Sequence, residues 1–352
     1  MKKYFILLLL FCCTKIYADP IKHIIFFGDS LTDNGNLYNH VFKLMPKDPP
    51  YYQGRFSNGP TWAEYLGNDY YMRYKIDYDI YAVGGATILF HNPLKGCLPY
   101  VFKEEIDDYL LHTAFQDRSD TLFIIWMGAN DYMSEIDQDP SALTDDIVKE
   151  LSANIKVLID NGGKHFALLD LPDLSRTPRA LNDPVSKERL HVLSELHHEK
   201  VITAAHSFQS QYPDITFSFI DSYAIFNDLL TNTEKYNQKY HTHLNNMTES
   251  CWAGGYTIKK QDEDILKKEL RYRYLSLGNK KVDAQALAHA ILQSPALAEA
   301  YRVGQLQANG VKPCDNPDDY LFWDQIHPTR ITHQIFANVV EELLTNDMSM
   351  QR

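Results

Sequence analysis

The chain reads as an α/β protein: one parallel β-sheet covered on both faces by helices. Three observations predict this. Five short, β-rich apolar runs recur along the chain, and each stops at a turn residue. Helical patterns separate them. The runs are nearly continuous in apolar residues rather than alternating, as strands buried on both faces must be.

His23–Phe27 is the first predicted strand and stops at Gly28. Tyr78–Val83 is the second and stops at Gly84-Gly85; Thr121–Met127 is the third and stops at Gly128. His165–Leu171 ends at Pro172, and Ile215–Ile220 ends at Asp221. Helices are predicted around Thr61–Leu66, Phe102–Thr113, Ala142–Asp160 and Ser186–Gln211, with a last one at Thr332–Leu344. The alternation breaks between about Thr231 and Asp319. That stretch carries the alternating-sign run Lys259–Arg273 and the Ala-rich run Ala284–Ala300, and reads as a helical insertion at about 231–319. One domain spanning 19–352 is expected to contain it.

Residues 1–18 stand apart. Lys2 and Lys3 precede Tyr4–Cys13, an apolar run too short to span a bilayer, and Ile16-Tyr17-Ala18 follows with a small residue at the cut. This is the pattern of a signal peptide, and the bulky Phe11 before Cys12 argues against a lipoprotein. The expectation is a secreted or periplasmic protein with no transmembrane segment. Hydrophobic residues make up 45% of the 352, enough for a large core. The formal charge of −12 falls by three more when Lys2, Lys3 and Lys15 are removed. So acidic a chain has no electrostatic attraction to nucleic acid or to anionic lipid. Cys97, Cys251 and Cys314 remain, which in an oxidising compartment leads to one disulfide and one leftover thiol. No C-x-x-C or other metal-ligand spacing is present, so no metal is expected.

In open parallel sheets, sites form beyond the carboxyl ends of the strands. The first strand runs into Gly28-Asp29-Ser30-Leu31-Thr32-Asp33-Asn34-Gly35-Asn36. Alone, Asp29, Ser30 and Thr32 are ordinary loop and N-cap residues. A serine at a strand-to-helix turn can also present its hydroxyl at the sheet edge. The second strand meets Gly84-Gly85-Ala86 and the third meets Gly128-Ala129-Asn130-Asp131. These are turns, or else they supply oxyanion donors: a backbone N–H from Gly85, with Gly84 the open alternative, and the Asn130 carboxamide. Near the C-terminus, Asp324-Gln325-Ile326-His327 places an acid three residues before a histidine. Such an acid can orient one ring nitrogen while the other faces a nucleophile; the same residues could simply cap the last helix.

Taken together and in order, these four segments resemble the blocks of the GDSL, or SGNH, hydrolase superfamily. The resemblance covers about residues 23–345, apart from most of the insertion. It implies a flavodoxin-like three-layer α/β/α sandwich with a five-stranded parallel sheet. It assigns the nucleophile to Ser30, the oxyanion donors to Ser30, Gly85 and Asn130, and the remaining pair to Asp324 and His327. One departure is that Ile80 stands where the family often has an asparagine before the glycine block. No G-x-S-x-G elbow, P-loop, dinucleotide fingerprint or H-E-x-x-H competes.

The strings Gly28–Asn36, Tyr81–Thr87 and Phe322–Thr329 are similar to one branch in particular: secreted bacterial phospholipases A, lysophospholipases A and glycerophospholipid–cholesterol acyltransferases. It implies a (lyso)phospholipid substrate, an acyl-serine intermediate, cholesterol as a candidate acceptor, and no cofactor. The rivals are a carbohydrate or aryl esterase on the same fold and a catalytically silent secreted binding protein. A cysteine-bridged insertion before the last block also recurs in the branch. Cys251 and Cys314 flank the segment that breaks the alternation, so they are the expected pair, with Cys97 left over. The bridged loop ends ten residues before Asp324 and is tethered within reach of it. The tyrosines, Tyr51 and Tyr52 among them, line an acyl groove on one reading and pack in the core on the other.

Overall fold

The computed structural model describes residues 21–89, 101–134, 138–253, 258–276 and 283–347. The predicted signal peptide and Cys97 lie outside them. The first half of the chain gives β1 (His23–Gly28), α1 (Asn36–His40), α2 (Trp62–Tyr74), β2 (Asp77–Ile80), α3 (Phe102–His112), β3 (Thr121–Trp126), α4 (Ala129–Met133) and α5 (Pro140–Asp160). Then come β4 (His165–Leu169), α6 (Pro178–Leu181), α7 (Pro184–Gln211), β5 (Thr216–Ile220), α8 (Ser222–Thr231) and α9 (Thr233–Tyr240). The last part contains β6 (Asn246–Ser250), α10 (Lys260–Ser276), α11 (Ala284–Gln293), α12 (Pro295–Ala308), β7 (Tyr320–Phe322) and α13 (Arg330–Asp347).

The main sheet is five-stranded and parallel, in the order β2-β1-β3-β4-β5. This is the flavodoxin-like order, and it places the reversal of winding at β1, between β2 and β3. Alternate side chains go to opposite layers. On one face Phe26 meets Trp62 of α2 at 5.5 Å, and Trp126 stacks on Phe336 of α13 at 4.6 Å. On the other, Phe27 meets Phe102 and Tyr109 of α3 at 5.7 and 5.9 Å. All six residues of β3 are buried, which is why the strand reads as a solid apolar run.

Two of the shifts in predicted bounds have a visible cause. Helix α2 continues past Leu66 to Tyr74 despite Gly67, Asn68 and Asp69, all weak helix formers. Packing overrides propensity here: Tyr70 is buried and the helix lies against α13. Strand β2 is shorter than Tyr78–Val83 and ends at Ile80. The Asn36 side chain donates to the Ile80 and Ala82 carbonyls at 2.7 and 2.9 Å and turns the chain there.

The segment read as a helical insertion is not helical throughout. Asn246–Ser250 is a strand, and it pairs in parallel with β7 to form a second, two-stranded sheet. Cys251 and Cys314 are joined at an S–S distance of 2.08 Å. Immediately beyond β6, the Cys251 and Trp252 N–H groups donate to the Phe322 and Trp323 carbonyls at 3.0 and 3.1 Å.

Candidate active site

The site is assembled by polar residues that tie three turns together. Strand β1 ends at Gly28, where a Cβ would sit 2.6 Å from the Trp126 carbonyl oxygen of β3. Only glycine permits that approach. The Gly28 and Val83 N–H groups both donate to the buried Glu105 of α3 at 3.1 Å, so one carboxyl draws the first and second turns together. Asp33 does the same with four donors. Its Oδ1 accepts from the Gly35 and Asn36 N–H groups, and its Oδ2 from Leu37 and Gly84 at 3.1 and 2.7 Å.

That last bond bears on the choice between glycines. The Gly84 N–H is already committed to Asp33. Gly85 has φ +81°, a left-handed conformation that favours glycine, and a Cβ there would lie 2.9 Å from Leu297. No hydrogen bond to the Gly85 N–H occurs among the described residues.

Asn130 and Asp131 fix the third turn against the second. The Asn130 Nδ2 donates to the Ala86 carbonyl at 2.9 Å, which leaves its second amide hydrogen for another acceptor. Asp131 accepts from the Ile88 and Leu89 N–H groups at 2.8 and 2.9 Å.

The structure brings Ser30, His327 and Asp324 into one line. His327 Nε2 is 2.9 Å from Ser30 Oγ, and Nδ1 is 2.7 Å from Asp324 Oδ2. An ionised carboxylate can only accept, so Nδ1 carries the proton and Nε2 accepts from the serine hydroxyl. Asp324 Oδ1 also accepts from the Ile326 and His327 N–H groups at 2.8 and 2.7 Å, and Tyr51 donates to Oδ2 at 2.6 Å. Burial by itself pushes the Asp324 carboxyl up. The imidazole and these donors more than offset it, so the group lies below its ordinary value and stays ionised. Both Asp324 and His327 are wholly buried, with the Phe56 ring 5.0 Å from the imidazole.

Asp29 behaves in the opposite way. Burial raises its carboxyl to about 7, against smaller downward pulls from the Leu31 N–H and His327. Its Oδ2 has no hydrogen-bond partner among the described residues.

Beside Ser30 opens a pocket whose walls are largely apolar: Leu31, Trp126, Met133, Leu174, Phe226, Leu230, Leu321, Phe322 and Ile326. Asn130 lines it, and Arg176 is the one cation among its lining residues. The insertion reaches the site as well. Ala296 of α12 lines the pocket, Leu297 sits over Gly85, and Glu299 accepts from the Gln325 N–H at 3.1 Å.

Sequence reasoning singled out Ser30, Asn130, Asp324 and His327, but not Glu105, Asp33 or Tyr51 as parts of the same assembly. Glu105 looks like any solvated helix glutamate, and only its burial marks it. Asp33 and Asn36 stand in the first motif, where their period suggests no more than a polar loop.

Comparison with known proteins agrees with this arrangement. The family model for the GDSL-like Lipase/Acylhydrolase matches residues 24–340. The chain is 30% identical over 348 residues to a phosphatidylcholine-sterol acyltransferase of Aeromonas hydrophila, covering 95% of this chain and 94% of that one. It is 24% identical to the thermolabile hemolysin of Vibrio parahaemolyticus, over 93% of this chain and 65% of that protein. Among solved structures, a catalytic mutant of an acetylxylan esterase from Geobacillus stearothermophilus gives a TM-score of 0.37 at 14% identity, covering 61% of this chain and 83% of that one. The family match over nearly the whole chain, with the near full-length relative, decides the matter: this chain belongs to the GDSL lipases and acylhydrolases and is a carboxylic ester hydrolase.

Proposed function

We propose that the protein is exported and cleaves fatty-acyl esters of phospholipids or lysophospholipids through an acyl-Ser30 intermediate. His327 Nε2 takes the hydroxyl proton as Ser30 Oγ attacks the ester carbonyl, and later returns it to the leaving alcohol. Asp324 holds the ring in the tautomer this requires and stabilises the imidazolium. The developing oxyanion is met by the Ser30 and Gly85 N–H groups and the free Asn130 amide hydrogen. Gly85 is preferred to Gly84 because the latter's N–H already serves Asp33.

The observation that carries the lipid reading is the apolar pocket at Ser30. Leu31, Met133, Phe226 and Leu230 gain by excluding water around an acyl chain, and offer little to a sugar. The acyltransferase relative supports a phospholipid donor, with a sterol as alternative acceptor to water. The test is a lipid panel on purified protein, with and without cholesterol. Release of fatty acid from phospholipid or lysophospholipid, with cholesteryl ester appearing when cholesterol is present, is expected. Acetyl esters of sugars cleaved far faster than every lysophospholipid would overturn the reading in favour of a carbohydrate esterase.

A further inference from the structure

We propose that Tyr51 is a positioning residue of this site, its hydroxyl clamping the Asp324 carboxylate so that His327 keeps its aim at Ser30. The inference rests on the acyl-serine reading above. Tyr51 is only 1% exposed, and its hydroxyl lies 2.6 Å from Asp324 Oδ2. That is the oxygen facing His327 Nδ1 at 2.7 Å. The chain of bonds therefore runs from Tyr51 through Asp324 and His327 to Ser30, four side chains from three parts of the sequence.

The segment that carries Tyr51 is built onto the Asp324–Pro328 turn. Tyr51 packs edge-on against Phe56 and Trp323 at 6.2 and 6.5 Å. Phe56 covers the imidazole, and Ser57 Oγ donates to the Pro328 carbonyl at 2.9 Å. Tyr51 is absent from the walls of the pocket beside Ser30, so it does not bind substrate there. Its effect passes through Asp324.

Other charged and titratable groups face this cluster. Asp29 approaches His327 from the turn after β1, and His333 from α13. Glu299 and Arg302 of α12 pair with each other at 2.7 Å and flank Tyr51. None of these is hydrogen-bonded to Asp324 among the described residues, so Tyr51 is the side chain that competes with the imidazole for Oδ2.

The sign of the effect follows. A donor on Oδ2 takes up part of the carboxylate's negative charge. Its removal leaves more of that charge facing the imidazole, which favours the protonated ring. The carboxylate also loses one of its restraints, and a proton-transfer step that depends on alignment slows. In Tyr51→Phe, kcat should fall about tenfold with KM unchanged, and the acid limb of the kcat–pH profile should rise by about half to one unit. In an Asp324→Asn background, Tyr51→Phe should cost nothing further, because the two act as one unit.

Wild-type kcat and an unmoved acid limb in folded Tyr51→Phe would overturn the proposal. So would lost stability with kcat per folded molecule unchanged, or a change confined to KM. Should Tyr51→Phe not fold, 3,5-difluorotyrosine at position 51 supplies a stronger donor and should move the acid limb down; an unmoved limb overturns the proposal equally. Labelling with a fluorophosphonate separates the two levels. A label absent from Ser30 sinks the acyl-serine reading itself, whereas labelled Ser30 with an unshifted Tyr51→Phe profile sinks only the role of Tyr51.

Discussion

Ser30 and His327 share a single proton across 2.9 Å, so neither is expected to work without the other. Ser30→Ala and His327→Ala should each lower ester turnover on the order of 10⁴-fold or more while circular dichroism stays native. Asn130 sits one step out. Asn130→Ala should cost about 10²–10³-fold in kcat with KM little changed, as for the loss of one oxyanion donor. A main effect on KM would make Asn130 a substrate-binding residue instead. Asp29 allows a prediction about stability. Its folded carboxyl titrates at about 7 and its unfolded one at the ordinary 3.8. The bound proton therefore favours the fold fully below 3.8, and this benefit is lost as pH rises to about 7. Asp29→Asn keeps that position neutral throughout. Its stability relative to wild type should climb with pH across this window, by at most about 1.4 kcal/mol per unit. Urea melts at pH 4.5 and pH 8 showing the same offset would refute a titrating Asp29.

At the scale of elements, the second sheet and the disulfide act on one turn. Strand β7 ends at Phe322, two residues before Asp324, and β6 with Cys251 braces it from the side. The bridge spans 63 residues, and cutting it should cost about 4 kcal/mol if the stabilisation comes from unfolded-chain entropy. Cys251→Ser should thus lower the urea midpoint, with a somewhat steeper slope because the unfolded chain is no longer held compact. Peptide mapping that found Cys97 linked in place of this pair would remove the basis for that figure. These small strands were not legible in the sequence. Asn246-Met247-Thr248-Glu249-Ser250 lacks any apolar run, and it becomes a strand because a partner lies alongside. The inner strands β1, β3 and β4 were legible because they are buried almost throughout, so composition betrays them; the edge strands β2 and β5 are partly exposed, and their place in the alternation marked them instead. Helix α2 was legible at its start, where Thr61 and Glu64 form a capping box, and not at its end, which tertiary packing decides.

For the whole molecule, order along the chain carried most of the information. Gly28-Asp29-Ser30, Gly84-Gly85, Gly128-Ala129-Asn130 and Asp324…His327 were separately weak and jointly specific because they stand in the order of one family's blocks; the first three follow strands of one parallel sheet, which gathers its carboxyl ends on one edge. What bound them together was hidden: Glu105 looks like any glutamate of the predicted helix at Phe102–Thr113, and Tyr51 lies in a segment with no predicted element. The pairing of β6 with β7 has a practical outcome for anyone recombining relatives. A cassette cut at the boundaries suggested by composition, near 231 and 319, would separate β6 from its neighbour and remove Glu299 from beneath the Gln325 N–H. Such a graft exchanges the floor of the Asp324 turn together with the helices above it. Crossovers that preserve the turn must carry Asn246–Ser250, α12 and Tyr320–Pro328 as one inheritance from a single parent.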